Sequence, residues 1–434
     1  MSKSRLAMGM IGLACALANP AHAADLVSVV QQALGRDSNL AQARAGYAAA
    51  QQAVPEARAG LLPQISAGWG RAYNRIDTDG FPGTHYWQSG WTVNIAQPLF
   101  DWTKWTAYKQ ADYVEAHGAV ELNAAQQAAI LQAVRVYFDA LAAEDELTRV
   151  NEYAAAVDQH AQWLDRAKAA GEATVIDIRD VETEREQVAL QQMDAENRLL
   201  AKRRAWEQTT GVPFETLARL PDSLRMPPLV PADVEVWASQ AKSHAFDVQL
   251  KQLDWQIAKM DVSKAQSAHW PSAYLTGSYT PAGAASGYSR PTTTTTGMLS
   301  ISIPLYSGGE TQAKVQASEA LEDKAQQGLS GAMRGAEASA RDDYSRYQYG
   351  RARVERLTRL VELSRETLAA TRVGFRVGER TANDVIRAID TLYSLQRDLL
   401  AARYDAIIAL MQLKGDTAAL SLTDVVQIND VLVH

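Results

Sequence analysis

The 434-residue chain has a single cysteine, Cys15, and no uncharged apolar run longer than Leu6 to Ala18. One thiol excludes a disulfide framework and a cysteine-based zinc or iron–sulfur site. The apolar run is too short to cross a bilayer as a helix. A mean hydropathy of −0.24 excludes a bundle of membrane-spanning helices. Excess positive charge is missing too: the net charge is −7, with acidic and basic residues mixed along the chain. That argues against a nucleic-acid partner held by a cationic face. What the chain does have is a 47% apolar content, too high for a disordered polymer.

Lys3 and Arg5 precede the apolar run, Asn19 and Pro20 end it, and Ala21-His22-Ala23 offers small residues at −3 and −1. Residues 1–23 therefore read as a secretory signal peptide cleaved after Ala23, and cleavage removes the lone thiol. The rival reading, a lipoprotein acylated at Cys15, needs a Leu-like residue three positions earlier, where Gly12 stands. An exported, thiol-free chain points to the envelope of a Gram-negative bacterium.

Length alone suits two or three ordinary domains, but proline placement points elsewhere. Proline is absent from Leu99 to Val212 and again after Pro304. Because proline is expelled from helix interiors, both tracts predict very long helices. Leu147, Val150, Ala154, Val157, Ala161 and Leu164 step by three and four. Val385, Ala388, Leu392, Leu395, Leu399, Ala402, Ala406, Ala409 and Leu413 do the same over four heptads. That spacing is a coiled-coil seam, the alternative being an amphipathic helix on a globular core.

The proline-rich zones have a period of two. Ile65, Ala67, Trp69 and Tyr73 alternate with small or polar residues, as do Trp91, Val93 and Ile95, then Leu275 and Tyr279, then Leu299, Ile301, Ile303 and Leu305. These read as strands with one apolar face, of a length to cross a bilayer when tilted. Six of the ten Trp lie in or beside them, as in an interfacial girdle, though a soluble sandwich would share the alternation.

Pro63 corresponds to Pro271, Pro98-Leu99 to Pro304-Leu305, and Gly171-Glu172-Ala173-Thr174-Val175-Ile176-Asp177 to Gly378-Glu379-Arg380-Thr381-Ala382-Asn383-Asp384, all at nearly one offset. The chain is a duplication. The first repeat, 24–211, holds a helix, strands over 62–78 and 86–99, a long helix over 102–168, a tip turn and a return helix. A linker over 212–232 leads to the second repeat, 233–415, with strands over 271–281 and 297–306 and a long helix over 309–374. Residues 416–434 form a tail. Each long helix reaches roughly 100 Å at 1.5 Å per residue. Four strands cannot close a barrel with a lumen, and open edges are forbidden in lipid. Several chains must pool strands, and three would give twelve.

At this point the pattern resembles the TolC family of outer-membrane secretion and efflux channels, over essentially the whole mature chain. Its carriers are Ala59-Gly60-Leu61-Leu62-Pro63-Gln64-Ile65, Gln97-Pro98-Leu99-Phe100-Asp101, Ile303-Pro304-Leu305-Tyr306-Ser307-Gly308-Gly309, and Gly374-Phe375-Arg376-Val377-Gly378-Glu379-Arg380-Thr381 with Asp384-Val385 and Arg403-Tyr404. The protein-secretion branch looks more similar than the metal-efflux branch. The resemblance implies a mostly α fold with a small β part: duplicated helix–strand–strand–helix halves, a coiled-coil α-barrel tunnel, and four strands per chain in a trimeric twelve-stranded transmembrane β-barrel. An equatorial belt would come from 212–232 and the tail.

The implied function is the exit duct of a tripartite export system, conducting protein or, alternatively, drugs or metals. The implied partners are two further copies, a periplasmic membrane-fusion adaptor, an inner-membrane ABC exporter or proton-driven pump, and outer-membrane lipid. No nucleic acid, enzyme activity or cofactor is implied. A periplasmic coiled-coil adaptor or a non-channel envelope protein is the competing class, disfavoured by the two matched halves with lipid-length strands.

The resemblance also places a periplasmic gate at the tip, on Arg380, Phe375 and Asp384. Arg380 would bond neighbouring helices, and Asp384 from three chains would form an acidic ring that attracts cations. Arg387 stands where a second acidic ring position is common, and it could neutralise Asp384 at i and i+3. Asp177 is the first-repeat counterpart of Asp384. The alternative is that all four charged residues are solvated turn and cap residues. The tip turns, Gly171-Glu172 and Gly378-Glu379, would dock the adaptor. Asp77-Thr78-Asp79-Gly80 lacks the further ligands of a calcium loop, and Thr292 to Thr296 reads as a hydrated loop leading into a strand.

Overall fold

The computed structural model describes residues 25–77, 79–80, 82–171, 173–221, 224–281 and 293–433, and the expected signal peptide and Glu172 lie outside them. In chain order the elements are α1 (Leu26–Arg36), α2 (Ser38–Ala50), α3 (Ala53–Ala59), β1 (Gln64–Ile76), β2 (Thr84–Phe100), α4 (Trp102–Ala169), α5 (Val175–Thr210), α6 (Val234–His244), α7 (Phe246–Ser267), β3 (Ser272–Thr280), β4 (Thr294–Ser302), α8 (Glu310–Arg376), α9 (Ala382–Asp416) and α10 (Leu422–Asn429). No helix among the described residues is long and apolar enough to cross a membrane.

The long helices start at defined signals. Asp101 caps α4, its carboxylate accepting from the Lys104 amide at 3.1 Å. At 68 residues α4 extends about 100 Å, and α8 has 67 residues. The α4–α5 and α8–α9 pairs are antiparallel hairpins packed side by side through α4 and α9. The heptad positions do what their spacing requires. Val150, Val157, Ala161 and Leu164 are buried against Val385, Leu392 and Leu399 in one core, with Leu147, Ala154, Ala388 and Leu395 at its margin.

A second core forms where the segment after α5 crosses the long helices. There α4 residues Ile130, Tyr137 and Leu141 pack on Trp206, on Leu217 and Met226 of the linker, and on Ile407 and Met411. Tyr137 donates to the Ala218 carbonyl at 2.9 Å, and Tyr347 to the Pro227 carbonyl at 2.6 Å. The tail joins this core: Val433 pairs with Arg219 through both backbone groups. The Arg219 guanidinium reaches Glu144 and Asp145 on α4, and Tyr404 donates to Asp145.

The four strands form one antiparallel sheet in the order β1-β2-β3-β4, so β1 and β4 are its open edges. Register places Ile65 opposite Ile95, Trp69 opposite Trp91 and Tyr73 opposite Trp87. Leu275 faces Leu299, and Ala273 faces Ile301. Alternation puts these apolar side chains on one face, and that face is bare: Ile65 is 72% exposed and Trp69 71%.

Several boundaries differ from the sequence expectation. β4 covers Thr294–Ser302 rather than 297–306, so Thr294 to Thr296 pair in the sheet instead of looping. Beyond Ser302 the alternation continues, but Pro304 has no amide to donate, and β3 begins at Ser272 and leaves no strand opposite Ile303 to Tyr306. β1 spans Gln64–Ile76 and β2 Thr84–Phe100. Gly309, at φ +86°, holds α8 back to Glu310, and the helix then runs to Arg376. Three helices rather than one precede β1, and two precede β3. The tail folds as α10, with Asp416 still inside α9.

Candidate functional site

The site predicted at the tip is built from two turns of the same design. Gly171 (φ +80°) and Gly378 (φ +82°) each take the left-handed conformation just past a long helix, where a side chain would be strained. The chain then re-enters a helix through a capping box. At the first turn the Thr174 amide donates to Asp177 Oδ2 at 2.8 Å, and the Asp177 amide donates to Thr174 Oγ1 at 3.2 Å. At the second, Thr381 and Asp384 make the same exchange at 2.9 and 3.2 Å. A helix start leaves backbone amides without partners, and the box satisfies two of them reciprocally.

Asp177 and Asp384 therefore serve the backbone of their own chain. The Thr381 amide, then its hydroxyl, hold the Asp384 carboxyl below its ordinary value, and the charges of Arg380 and Arg387 add to this. Among the described residues neither arginine makes an ion pair within the chain, so Arg387 does not close onto Asp384. Arg380 is exposed. Its stem lies against Gly374, where a Cβ would stand 2.9 Å from Arg380 Cγ. Glu379 is also exposed, and its amide bonds the Gly374 carbonyl at 2.8 Å.

Phe375 is not free at the tip. Its ring centroid lies 4.6 Å from that of Trp163 and 5.5 Å from that of His160, so it ties α8 to α4. His160 is buried, and its Nε2 sits 3.3 Å from the Ala382 carbonyl at the start of α9. Desolvation lowers the His160 pKa, outweighing that contact. Asn383 Nδ2 reaches Asp180 Oδ2 at 3.5 Å and links the two hairpins. The structure thus brings Phe375, Arg380, Asp384 and Arg387 together at one turn and places Gly171 and Asp177 at its counterpart.

Sequence reasoning missed His160, Trp163, Asp180 and both capping threonines. The Thr-x-x-Asp spacing was a readable signal for the caps. Nothing local connects His160 or Trp163 to Phe375, more than two hundred residues away.

The sequence profile described as outer membrane efflux protein matches residues 29–212 and 237–417. Outer membrane protein TolC of Vibrio cholerae is 27% identical over 95% of this chain and 95% of its own. The proteases secretion protein PrtF of Dickeya chrysanthemi is 24% identical over 94% of this chain and 91% of its own. The solved structure of CusC superposes with a TM-score of 0.80 at 16% identity, covering 91% and 92% of the two chains. That of the outer membrane protein VceC from Vibrio cholerae gives 0.77 at 17% identity, covering 91% and 96%.

Proposed function

Because the chain belongs to the outer membrane efflux protein family, we propose that it is the outer-membrane exit duct of a tripartite export system. The observation that carries this reading is a four-stranded sheet with a bare apolar face and two open edges, set at one end of two helices about 100 Å long. A lone sheet of this kind is stable neither in water nor in lipid, since the face needs hydrocarbon and the edges need partners. Three copies joined β1 to β4 give twelve strands and satisfy both needs. Helix edges agree with this closure. α5 leaves Leu190, Met193 and Leu200 exposed, and α8 leaves Leu360, Leu363 and Val373 exposed. These are apolar residues for a neighbouring chain to cover.

In this reading residues 1–23 are the export signal, 24–211 and 233–415 are the two repeats, and 212–232 with 416–434 form the belt around the tunnel. The tip turns at Gly171-Glu172 and Gly378-Glu379 meet a periplasmic membrane-fusion adaptor, which links the duct to an inner-membrane ABC exporter or proton-driven pump. Arg380, which makes no ion pair among the described residues, bonds a neighbouring chain at the closed tip, and Asp384 and Asp177 fix the turns that present it. Protein cargo is supported by the likeness to the proteases secretion protein PrtF. No catalytic step is assigned to the chain.

The reading is tested by purifying the protein from outer membranes and recording single channels in planar bilayers. Stepwise conductance supports it, and a soluble, non-conducting monomer refutes it.

A further inference from the structure

The belt covers one face of the hairpins, and the opposite face carries charge that the fold itself does not use. Nine residues make two and a half helical turns, so positions nine apart lie on opposite sides of a helix. Tyr344 donates to the Ala232 carbonyl, and Tyr347 to that of Pro227. Arg353 and Arg356 lie nine residues beyond them, on the far side of α8. Glu144 of α4 meets Arg219 of the belt, which places Arg135 on the far side of α4. Lys414 of α9 pairs with Asp424 on α10, which places Asp405 on the far side of α9.

Three of these side chains, Arg135, Arg353 and Asp405, converge. One groove of about 270 Å³ between α4, α8 and α9 is lined by Arg135, Arg346, Tyr349, Arg353, Asp405 and Gln412, among others. Asp405 is the one carboxylate among its lining residues. Arg135 donates to Gln412 at 2.9 Å, a neutral partner that leaves its charge uncompensated. Arg346 leans back on Asp343 at 2.5 Å. Arg353 makes no ion pair among the described residues. Two cations of α5 are by contrast paired with α4 carboxylates: Lys202 with Asp139, and Arg198 with Glu146. Two uncompensated guanidiniums therefore face one carboxylate, beside the open ring of Tyr349. Guanidiniums present planar forks that match carboxylates and phosphates, and they shed water more readily than ammonium groups.

We propose that this groove is a subsite of the tunnel wall that holds anionic groups of the cargo, in particular carboxylate-rich segments of an exported chain. The placement on the wall rests on the trimeric-duct reading, in which the belt lies outside. Repeated in three copies, the groove forms a ring of weak, exchangeable anion contacts, which a translocating acidic chain can enter and leave.

The test uses the full chain in detergent and a fluorescent oligoglutamate peptide. Fluorescence anisotropy should report binding that weakens with salt. Arg135→Glu with Arg353→Glu should reduce affinity by roughly tenfold or more, the scale of lost charged hydrogen bonds. Asp405→Asn, which removes the opposing carboxylate and leaves the packing in place, should tighten binding. The same peptide added to bilayer channels from the periplasmic side should reduce the current. Peptide binding that neither Arg135→Glu with Arg353→Glu nor Asp405→Asn alters, in a protein that still conducts, would overturn the groove and leave the duct standing. Binding with the predicted variant pattern in a protein that does not conduct would support the groove and overturn the duct.

Discussion

The Thr381 amide donates to the Asp384 carboxylate at 2.9 Å, and the Asp384 amide donates back to the Thr381 hydroxyl at 3.2 Å. Thr174 and Asp177 repeat the exchange in the other half of the chain. Duplication has thus preserved a device that starts each return helix at a fixed residue, and with it the angle at which each tip turn projects. Thr174→Ala and Thr381→Ala should each destabilise their helix start by about 1 kcal/mol. Hydrogen exchange of the first turns of α5 and α9 should rise while the equatorial amides stay protected.

The pH response of this box has a defined sign. Asp384 is depressed in the folded chain, so its contribution is present above the ordinary carboxylate range and is lost only as pH falls through the lower folded value. Tip protection should therefore be flat across neutral pH and decline only in strong acid. A decline that sets in just below the ordinary imidazole range would point to His160 instead, whose pKa burial lowers.

Gly378→Ala should cost roughly 1 kcal/mol, because φ +82° is a left-handed conformation that a Cβ disfavours. Open space surrounds the position, so the penalty is conformational rather than steric. Gly374→Ala should be tolerated if the Arg380 stem shifts. Comparing the two variants by thermal unfolding separates strain from crowding.

Phe375→Ala should cost about 2 kcal/mol through lost contact with Trp163 and His160. The loss should appear as faster exchange at the ends of both α4 and α8. A variant that changes conductance without changing exchange would show that Phe375 acts in the pore rather than in the packing.

Near the end of α9, Asp416 carries a pKa raised to about 7, chiefly by burial and then by the neighbouring Asp343 carboxylate, with Gln412 and Arg346 opposing the shift. The raised value means that the folded chain holds its proton more tightly than the unfolded one. The stabilisation is full below about pH 4, declines as pH climbs through the range up to about 7, and is flat above it. Asp416→Asn should remove this slope and stabilise the α8–α9 contact at neutral pH, as read from exchange of the α9 C-terminal turn.

The architecture was legible because long helices and lipid-length strands leave local marks. Proline gaps bounded α4, α5, α8 and α9, and alternation of apolar residues marked β1 to β4. Strand ends were less legible, since Ile303 and Leu305 keep the alternating pattern where no partner strand lies opposite. At the tip, Gly171 and Gly378 announced the turns, and Thr174 and Thr381 announced the caps through their spacing to Asp177 and Asp384. The seating of Phe375 on His160 and Trp163 depends on how the hairpins meet, which no local pattern encodes. The same holds for the groove that gathers Arg135, Arg353 and Asp405 from three helices.

The central claim is that open edges β1 and β4 close on other copies of the chain. Within one chain these edges are separated by two strands, roughly 14 Å at 4.8 Å per step, too far for a disulfide. In a Cys15→Ser background no native thiol competes. The most direct measurement is disulfide trapping in outer membranes, with a panel of cysteine pairs between positions 64–70 of β1 and 296–302 of β4. The account predicts that at least one register cross-links and that the ladder stops at three chains. Absence of interchain bonds across the whole panel, or a ladder that ends at any other number, would contradict it.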